Sequence, residues 1–235
     1  MSGRVTILGA GESGTGAALL AAAKGYQVFV SDAGSIQLHY KEKLKESGID
    51  FEEKMHTLSR ILDADFIIKS PGLGPNDLLV RMVSHYGISM IDELEFAFLH
   101  TTGKVIAITG TNGKTTTTLL TYHLLKEAGL DVGLAGNVGF SMAGQLIDKD
   151  HEYWVVEISN FQLEYIETFK PQIGALLNIT PDHLNRYDGD MEQYIAAKYQ
   201  LIRNMDENDI FIYNADDPIL TSRPTGETQP FKVST

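Results

Sequence analysis

The chain has 235 residues, 43% of them hydrophobic and 21% charged, with no cysteine and a formal net charge of −12. This composition leaves room for one large or two modest domains and excludes disulfide-stapled, collagen-like and mostly disordered chains, as well as thiolate metal sites and thiol catalysis. The acidic balance argues against generic nucleic-acid binding, no apolar run approaches the ~20 residues that span a bilayer, and the N-terminus lacks a signal-peptide layout, so neither nucleic acid nor membrane is expected as a partner.

In chain order, short apolar runs alternate with longer amphipathic ones, the pattern of an α/β protein with parallel sheets. Val5–Leu8 reads as a strand that enters Gly9-Ala10-Gly11-Glu12-Ser13-Gly14 and then an alanine-rich helix ending near Lys24. Strands are predicted over 27–32 and 66–70, the second stopped by Pro71-Gly72. A helix over 80–86 and a short strand over 88–91 follow. The same grammar then restarts. A strand over 105–109 enters Gly110-Thr111-Asn112-Gly113-Lys114-Thr115-Thr116 and a helix to about Ala128. Further strands are predicted over 132–135, 153–158, 173–178 and 210–214, with a long helix over 191–205. Two glycine-rich strand-to-helix turns so far apart predict two α/β domains, 1–92 and 93–235, rather than one large sheet.

The first turn, Gly9-x-Gly11-x-x-Gly14 with Asp32 ending the next strand, has dinucleotide-binding spacing. Its glycines let backbone approach a pyrophosphate at a helix N-terminus, and the acid ~20 residues on usually holds a ribose. It fits a nucleotide, a sugar nucleotide, or a tight turn without a ligand. The second turn resembles a P-loop, whose amides cradle phosphates while the lysine reaches the outer phosphates and the hydroxyl faces Mg²⁺. Ile108 stands where the first P-loop glycine would fall, so a shorter phosphate loop is expected. Glu157 lies near the end of the 153–158 strand, where an acid either holds Mg²⁺ or pairs with a core lysine. His183 closes the run Asn178-Ile179-Thr180-Pro181-Asp182 and reads as a metal ligand, a general base or a structural histidine. Lys198 is the most informative single residue. At about 100° per residue it falls within the arc of Met191, Tyr194, Ile195, Leu201, Ile202 and Met205. A lysine on that apolar face is paired, deprotonated, modified, or snorkels to an edge.

Five ordered motifs, Thr109–Thr115, Gly136-Asn137-Val138-Gly139, Glu157–Glu164, Asn178–His183 and Ala196-Ala197-Lys198, resemble the Mur ligases, ATP-dependent amide ligases of peptidoglycan synthesis. Phe161-Gln162-Leu163-Glu164 and Ser70-Pro71-Gly72 resemble the branch that adds D-glutamate, and set it apart from other Mur ligases and folate-polyglutamate synthetases. The resemblance implies a Rossmann-like parallel-sheet domain followed by a P-loop-type α/β ATPase domain. It implies UDP-sugar contacts from Gly11, Ser13, Gly14, Asp32, Ser70, Pro71, Gly72, Asn137, Ser159 and His183. ATP contacts are implied for Gly110, Thr111, Asn112, Gly113, Lys114, Thr115 and Thr116. Mg²⁺ ligands are implied at Thr115, Glu157, His183 and a carbamylated Lys198, and catalytic roles at Lys114, Glu157, His183 and Lys198. The implied substrates are ATP, D-glutamate and UDP-N-acetylmuramoyl-L-alanine, joined through an acyl phosphate by a cytoplasmic monomer. An NAD-dependent oxidoreductase, suggested by the first turn alone, leaves Lys114, Glu157, His183 and Lys198 unexplained; a module that senses ATP without chemistry is the other alternative.

Three departures stand out against this family pattern. Ala33 and Gly34 follow Asp32 where the branch often carries a polar and a basic residue, and Asn160 replaces a common second serine. Family members run to about twice this length. Their adenine-side Gly-x-His-Asn motif and C-terminal amino-acid-binding domain have no counterpart here, which implies an incomplete ATPase domain and no turnover by this chain alone.

Overall fold

The computed structural model describes residues 3–234. β1 (Arg4–Leu8) leads into α1 (Glu12–Ala23), β2 (Gln27–Asp32), α2 (Leu38–Glu46), β3 (Asp50–Glu53) and α3 (Leu58–Ile61). β4 (Phe66–Lys69), α4 (Leu78–His85), β5 (Ser89–Asp92) and α5 (Glu93–Phe98) follow. Next come β6 (Lys104–Thr109), α6 (Lys114–Glu127), β7 (Val132–Gly136), α7 (Met142–Leu146), β8 (Tyr153–Glu157) and α8 (Asn160–Leu163). β9 (Ile173–Leu176), α9 (Met191–Tyr199), β10 (Ile210–Asn214), α10 (Pro218–Thr221) and β11 (Gln229–Val233) complete the order. No helix among the described residues is long and apolar enough to cross a membrane.

These elements form two compact units. The first holds the chain up to Thr101 together with Gly139–Asp150; the second holds Thr102–Val138 and the residues from His151 onward. Each has its own all-parallel sheet, ordered β3-β2-β1-β4-β5 in the first unit and β11-β10-β9-β6-β8-β7 in the second. The α/β reading with two sheets therefore holds, and a single large sheet is excluded. In both units the glycine turn follows the strand at which the order reverses, β1 or β6. Ligands of open parallel sheets bind at such switch points, outside the carboxyl ends of the strands.

In the first unit Val5, Ile7 and Leu8 are buried, and so are Ala17, Ala18, Leu20 and Ala21 of α1. The small side chains of α1 let α7 approach closely. A Cβ added to Gly16 would lie 2.0 Å from Ser141 Oγ. The contacts thus assign α5 and α7 to the first unit, although both lie beyond residue 92. The link is chemical: Glu93, 1% exposed, accepts hydrogen bonds from Ser141 Oγ and Ala143 N, both at 2.7 Å.

Several elements differ from the sequence expectation. The edge strands β3 and β11 and the helix α2 carry no apolar run that would announce them. β11 is exposed along its whole length and exists as a partner of β10. The helix expected over 191–205 ends at Tyr199 and continues as a 3-10 turn, Gln200–Ile202.

Candidate functional site

In the second unit, the loop between β6 and α6 is shaped for an anion. Gly110 and Gly113 have φ of 156° and 82°, conformations that side chains avoid. Gly113 is also the N-cap of α6, with no side chain capping the first N–H groups. The positive end of the helix therefore faces the loop uncapped.

The segment after β9 braces this loop. Asn112 N donates to Asn178 Oδ1 at 2.9 Å, and Asn178 Nδ2 donates back to Asn112 O at 3.0 Å. Thr111 N donates to Asn178 O at 3.0 Å. Thr111 Oγ1 meets Thr180 N, Thr180 O and the Tyr194 hydroxyl at 3.0, 3.1 and 3.0 Å. A loop so tied keeps its amides in place before any phosphate arrives.

Two lysines converge on the Gly110 carbonyl. Lys114 Nζ donates to Gly110 O at 3.0 Å and to Thr111 O at 2.8 Å. Lys198, 1% exposed, donates to the same Gly110 O at 2.9 Å and lies 4.8 Å from the Tyr194 ring centre. Its neighbours on the expected arc are buried too: Tyr194, Ile195, Leu201, Ile202 and Met205. Burial, reinforced by the Lys114 charge and opposed by Asp182, lowers the Lys198 amine to about 7. Burial works in this direction because it penalises the charged form.

Glu157 is 1% exposed and pairs in register with Ile108 of β6 and Gly136 of β7. Its Oε1 accepts from Asn137 Nδ2 at 2.8 Å, while its buried Oε2 has no partner. A bare buried carboxylate oxygen is costly unless a cation completes it. Among the described residues no three or more His, Cys, Asp or Glu side chains form a metal cluster. That donor set suits Mg²⁺, which takes one or two carboxylates and fills its shell with substrate phosphates and water. Thr115 is exposed on the first turn of α6. His183 has a side chain 54% exposed; its imidazole lies 3.5 Å from Asp182 and 5.2 Å, centre to centre, from the Phe161 ring. No hydrogen bond among the described residues links His183 or Glu157 to either lysine.

The turn of the first unit is tighter. A Cβ on Gly14 would lie 1.9 Å from Gly9 O, and one on Gly9 would lie 2.3 Å from Ser70 Oγ, whereas a Cβ on Gly11 meets nothing within 4 Å. Gly11 caps α1 without a side-chain bond, so open space adjoins the helix N-terminus. Asp32 spends both oxygens on the turn, accepting from Ala10 N and Gly34 N at 2.7 Å each. It braces the backbone here, with one bond accepted by each oxygen.

Residues 108–234, more than half the chain, match the Mur ligase middle domain. The chain belongs to the Mur ligase family. Residues 4–79 match the MurD N-terminal domain. It is 51% identical over 218 residues to the UDP-N-acetylmuramoylalanine--D-glutamate ligase of Bacteroides fragilis, across 92% of this chain and 49% of that protein. The enzyme of the same name from Porphyromonas gingivalis is 51% identical over 226 residues, across 96% of this chain and 50% of that protein. The chain spans about half the length of the curated relatives it matches. In fold it is similar to the crystal structure of UDP-N-acetylmuramate:L-alanyl-gamma-D-glutamyl-meso-diaminopimelate ligase from Neisseria meningitides, with TM-score 0.68 and 19% identity over 99% of this chain and 78% of that one.

The residues expected from the sequence to meet a UDP-sugar fall in both units. Gly11, Ser13, Gly14, Asp32, Ser70, Pro71 and Gly72 belong to the first, and Asn137, Ser159 and His183 to the second. Sequence reasoning missed the bracing roles of Asn178, Thr180 and Tyr194. A polar pair directly after a strand, opposite a glycine loop, was the available signal for the first two. Tyr194 was read only as part of an apolar arc.

Proposed function

We propose that this chain supplies the UDP-sugar-binding and ATP-binding domains of a ligase that joins D-glutamate to UDP-N-acetylmuramoyl-L-alanine. The observation that carries the reading is the bare Oε2 of buried Glu157, on the strand paired beside the one that feeds the glycine loop. That placement suits a cation shared with nucleotide phosphates. The similarity to D-glutamate ligases over nearly the whole chain supports the choice of branch.

In this reading Lys114 leaves the Gly110 and Thr111 carbonyls and turns to the phosphates, which the loop amides and the N-terminus of α6 receive. Gly110, Thr111, Asn112, Gly113, Thr115 and Thr116 complete the ATP site. One Mg²⁺, held by Thr115 and Glu157, and a second, held by His183 and a carbamylated Lys198, would supply charge neutralisation on the transferring phosphoryl group. The lowered Lys198 amine is partly neutral near pH 7, the form that adds CO₂ to give a carbamate and releases a proton to solvent. The substrate carboxylate takes the γ-phosphoryl group of ATP to give an acyl phosphate and ADP, and the amine of D-glutamate then displaces inorganic phosphate, forming the amide and losing a proton to solvent. The proposed setting is the cytoplasm, where nucleotide-linked substrates are made, and the proposed state is a monomer.

Titration calorimetry with UDP-N-acetylmuramoyl-L-alanine, Mg-ATP and NAD on one sample tests the proposal. The ligase reading expects binding of the UDP-sugar and of Mg-ATP. Binding of NAD with indifference to the UDP-sugar would replace it with the oxidoreductase reading.

A further inference from the structure

The imidazole of His183 is not oriented by its own hydrogen bonds. Its side chain is 54% exposed, and its ionic neighbour among the described residues, Asp182, lies 3.5 Å away. Its backbone is in the left-handed region, φ 50°, and so is that of Asp188, φ 52°. These two residues bracket the 3-10 turn Leu184–Tyr187. Non-glycine residues keep such conformations only where surrounding contacts impose them.

The contacts that α8 makes with this turn converge on one carboxylate. Glu164, the C-cap residue of α8, accepts from Arg186 Nη2 at 2.7 Å through one oxygen and from the Tyr187 hydroxyl through the other. Asn160 Nδ2 donates to the same hydroxyl at 2.6 Å. Both ends of the ion pair are largely buried, the side chains of Arg186 and Glu164 being 13% and 16% exposed. Thus fixed, the Arg186 guanidinium lies 4.0 Å from the centre of the Phe161 ring, and that ring in turn faces His183 at 5.2 Å. The backbone that carries Phe161 is held by a capping box: Gln162 N donates to Ser159 Oγ at 3.3 Å and Ser159 N to Gln162 Oε1 at 3.0 Å.

We propose that Glu164 is the positioning residue of His183, setting the imidazole through Arg186, Tyr187 and the Phe161 ring. The proposal rests on the reading of His183 as a residue that meets the UDP-sugar substrate or its metal. It assigns the Phe161–Glu164 run a task that its position on a short helix does not announce: one residue supplies the ring that the imidazole packs on, and the other holds the turn that presents it.

The test uses the 235-residue chain with isotopically labelled histidine and phenylalanine. Wild type should show a ring-to-ring nuclear Overhauser contact between His183 and Phe161. Glu164→Ala should lose it and bind UDP-N-acetylmuramoyl-L-alanine about tenfold more weakly, the usual scale for an outer-shell partner, with Mg-ATP affinity nearly unchanged. Glu164→Gln, which keeps the acceptor for Tyr187 but loses the ion pair to Arg186, should fall between wild type and Glu164→Ala in ring contact and affinity. Phe161→Leu leaves the ion pair intact and should weaken the same ligand, which keeps the test decisive if Glu164→Ala fails to fold. Survival of the ring contact in Glu164→Ala, or wild-type UDP-sugar binding by Phe161→Leu, would overturn the positioning role. His183→Ala is the separate control: unchanged UDP-sugar affinity there would remove the ligand role of His183, while the ring contact would still decide what Glu164 does.

Discussion

The two glycine turns follow the same plan, strand to loop to helix at the switch point of a parallel sheet, yet they are braced in different ways. In the first unit the brace is a fixed acid and close backbone packing. Asp32 holds Ala10 and Gly34, and Gly9 and Gly14 leave no space for a side chain. The helix behind it, α1, is buried along most of its length. In the second unit the brace is a set of neutral amides and hydroxyls, and two lysines are folded onto the loop. There α6 has Leu120 and Leu124 more than half exposed. A turn braced by an anion suits a ligand that stays bound by shape and backbone contact. A turn carrying displaceable cations suits phosphates whose charge grows during reaction.

The sharpest break in this contrast is Gly14→Ala. Its Cβ would collide with backbone, so the first unit should lose more than about 4 kcal/mol and fail to melt cooperatively, as a clash of this kind falls among the exceptional mutations. Gly11→Ala, with open space around it, should melt like wild type. Equal melting of the two variants would dissolve the claim that the first turn is set by packing.

The next effect concerns Glu93, which ties α7 to α5 within the first unit. Burial, opposed by its bonds to Ala143 and Ser141 and reinforced by Asp92 and Glu12, raises its carboxyl from 4.5 to about 8. The folded state therefore binds the proton more tightly than the unfolded chain. Between those values stability falls as pH rises, and above about 8 it levels off. At ~1.4 kcal/mol per pH unit, wild type should lose about 5 kcal/mol across that window relative to Glu93→Gln. Parallel melting-versus-pH curves for the two proteins would show that Glu93 is not held neutral.

Lys114→Met probes the other turn. Mg-ATP affinity should drop about a hundredfold, or ~2.7 kcal/mol, with UDP-sugar affinity nearly unchanged in the same calorimetric series. An equal loss of both ligands would mean that the lysine supports the fold rather than phosphates. The smallest expected effect is Asp32→Asn. It replaces one of two acceptors for backbone N–H groups, and thermal melting should report a cost of about 1–2 kcal/mol.

Much of this was legible in the residues. Val5–Leu8 and Val105–Thr109 announce central strands because a strand buried on both faces must be continuously apolar. The spacing of glycines announces both turns, and the position of Lys198 on an apolar arc announces its burial. β3, with the sequence Asp50-Phe51-Glu52-Glu53, was not legible, because an edge strand pairs on one side and needs no apolar run. The same holds for β11. The helix α2 has one buried residue, Leu44, too few to make a periodic signal.

By itself, then, the order of residues determined the α/β class, the two glycine turns and the family, since each depends on local spacing along the chain. Tertiary structure alone decided which groups face those turns. Lys198 meets Gly110 across 88 positions and Thr111 meets Tyr194 across 83. Glu93 reaches Ser141 across 48, drawing α7 into the first unit. Hydrogen bonds and burial at such separations are fixed by how sheets and helices pack, and no local pattern of hydrophobicity or turn chemistry encodes their partners.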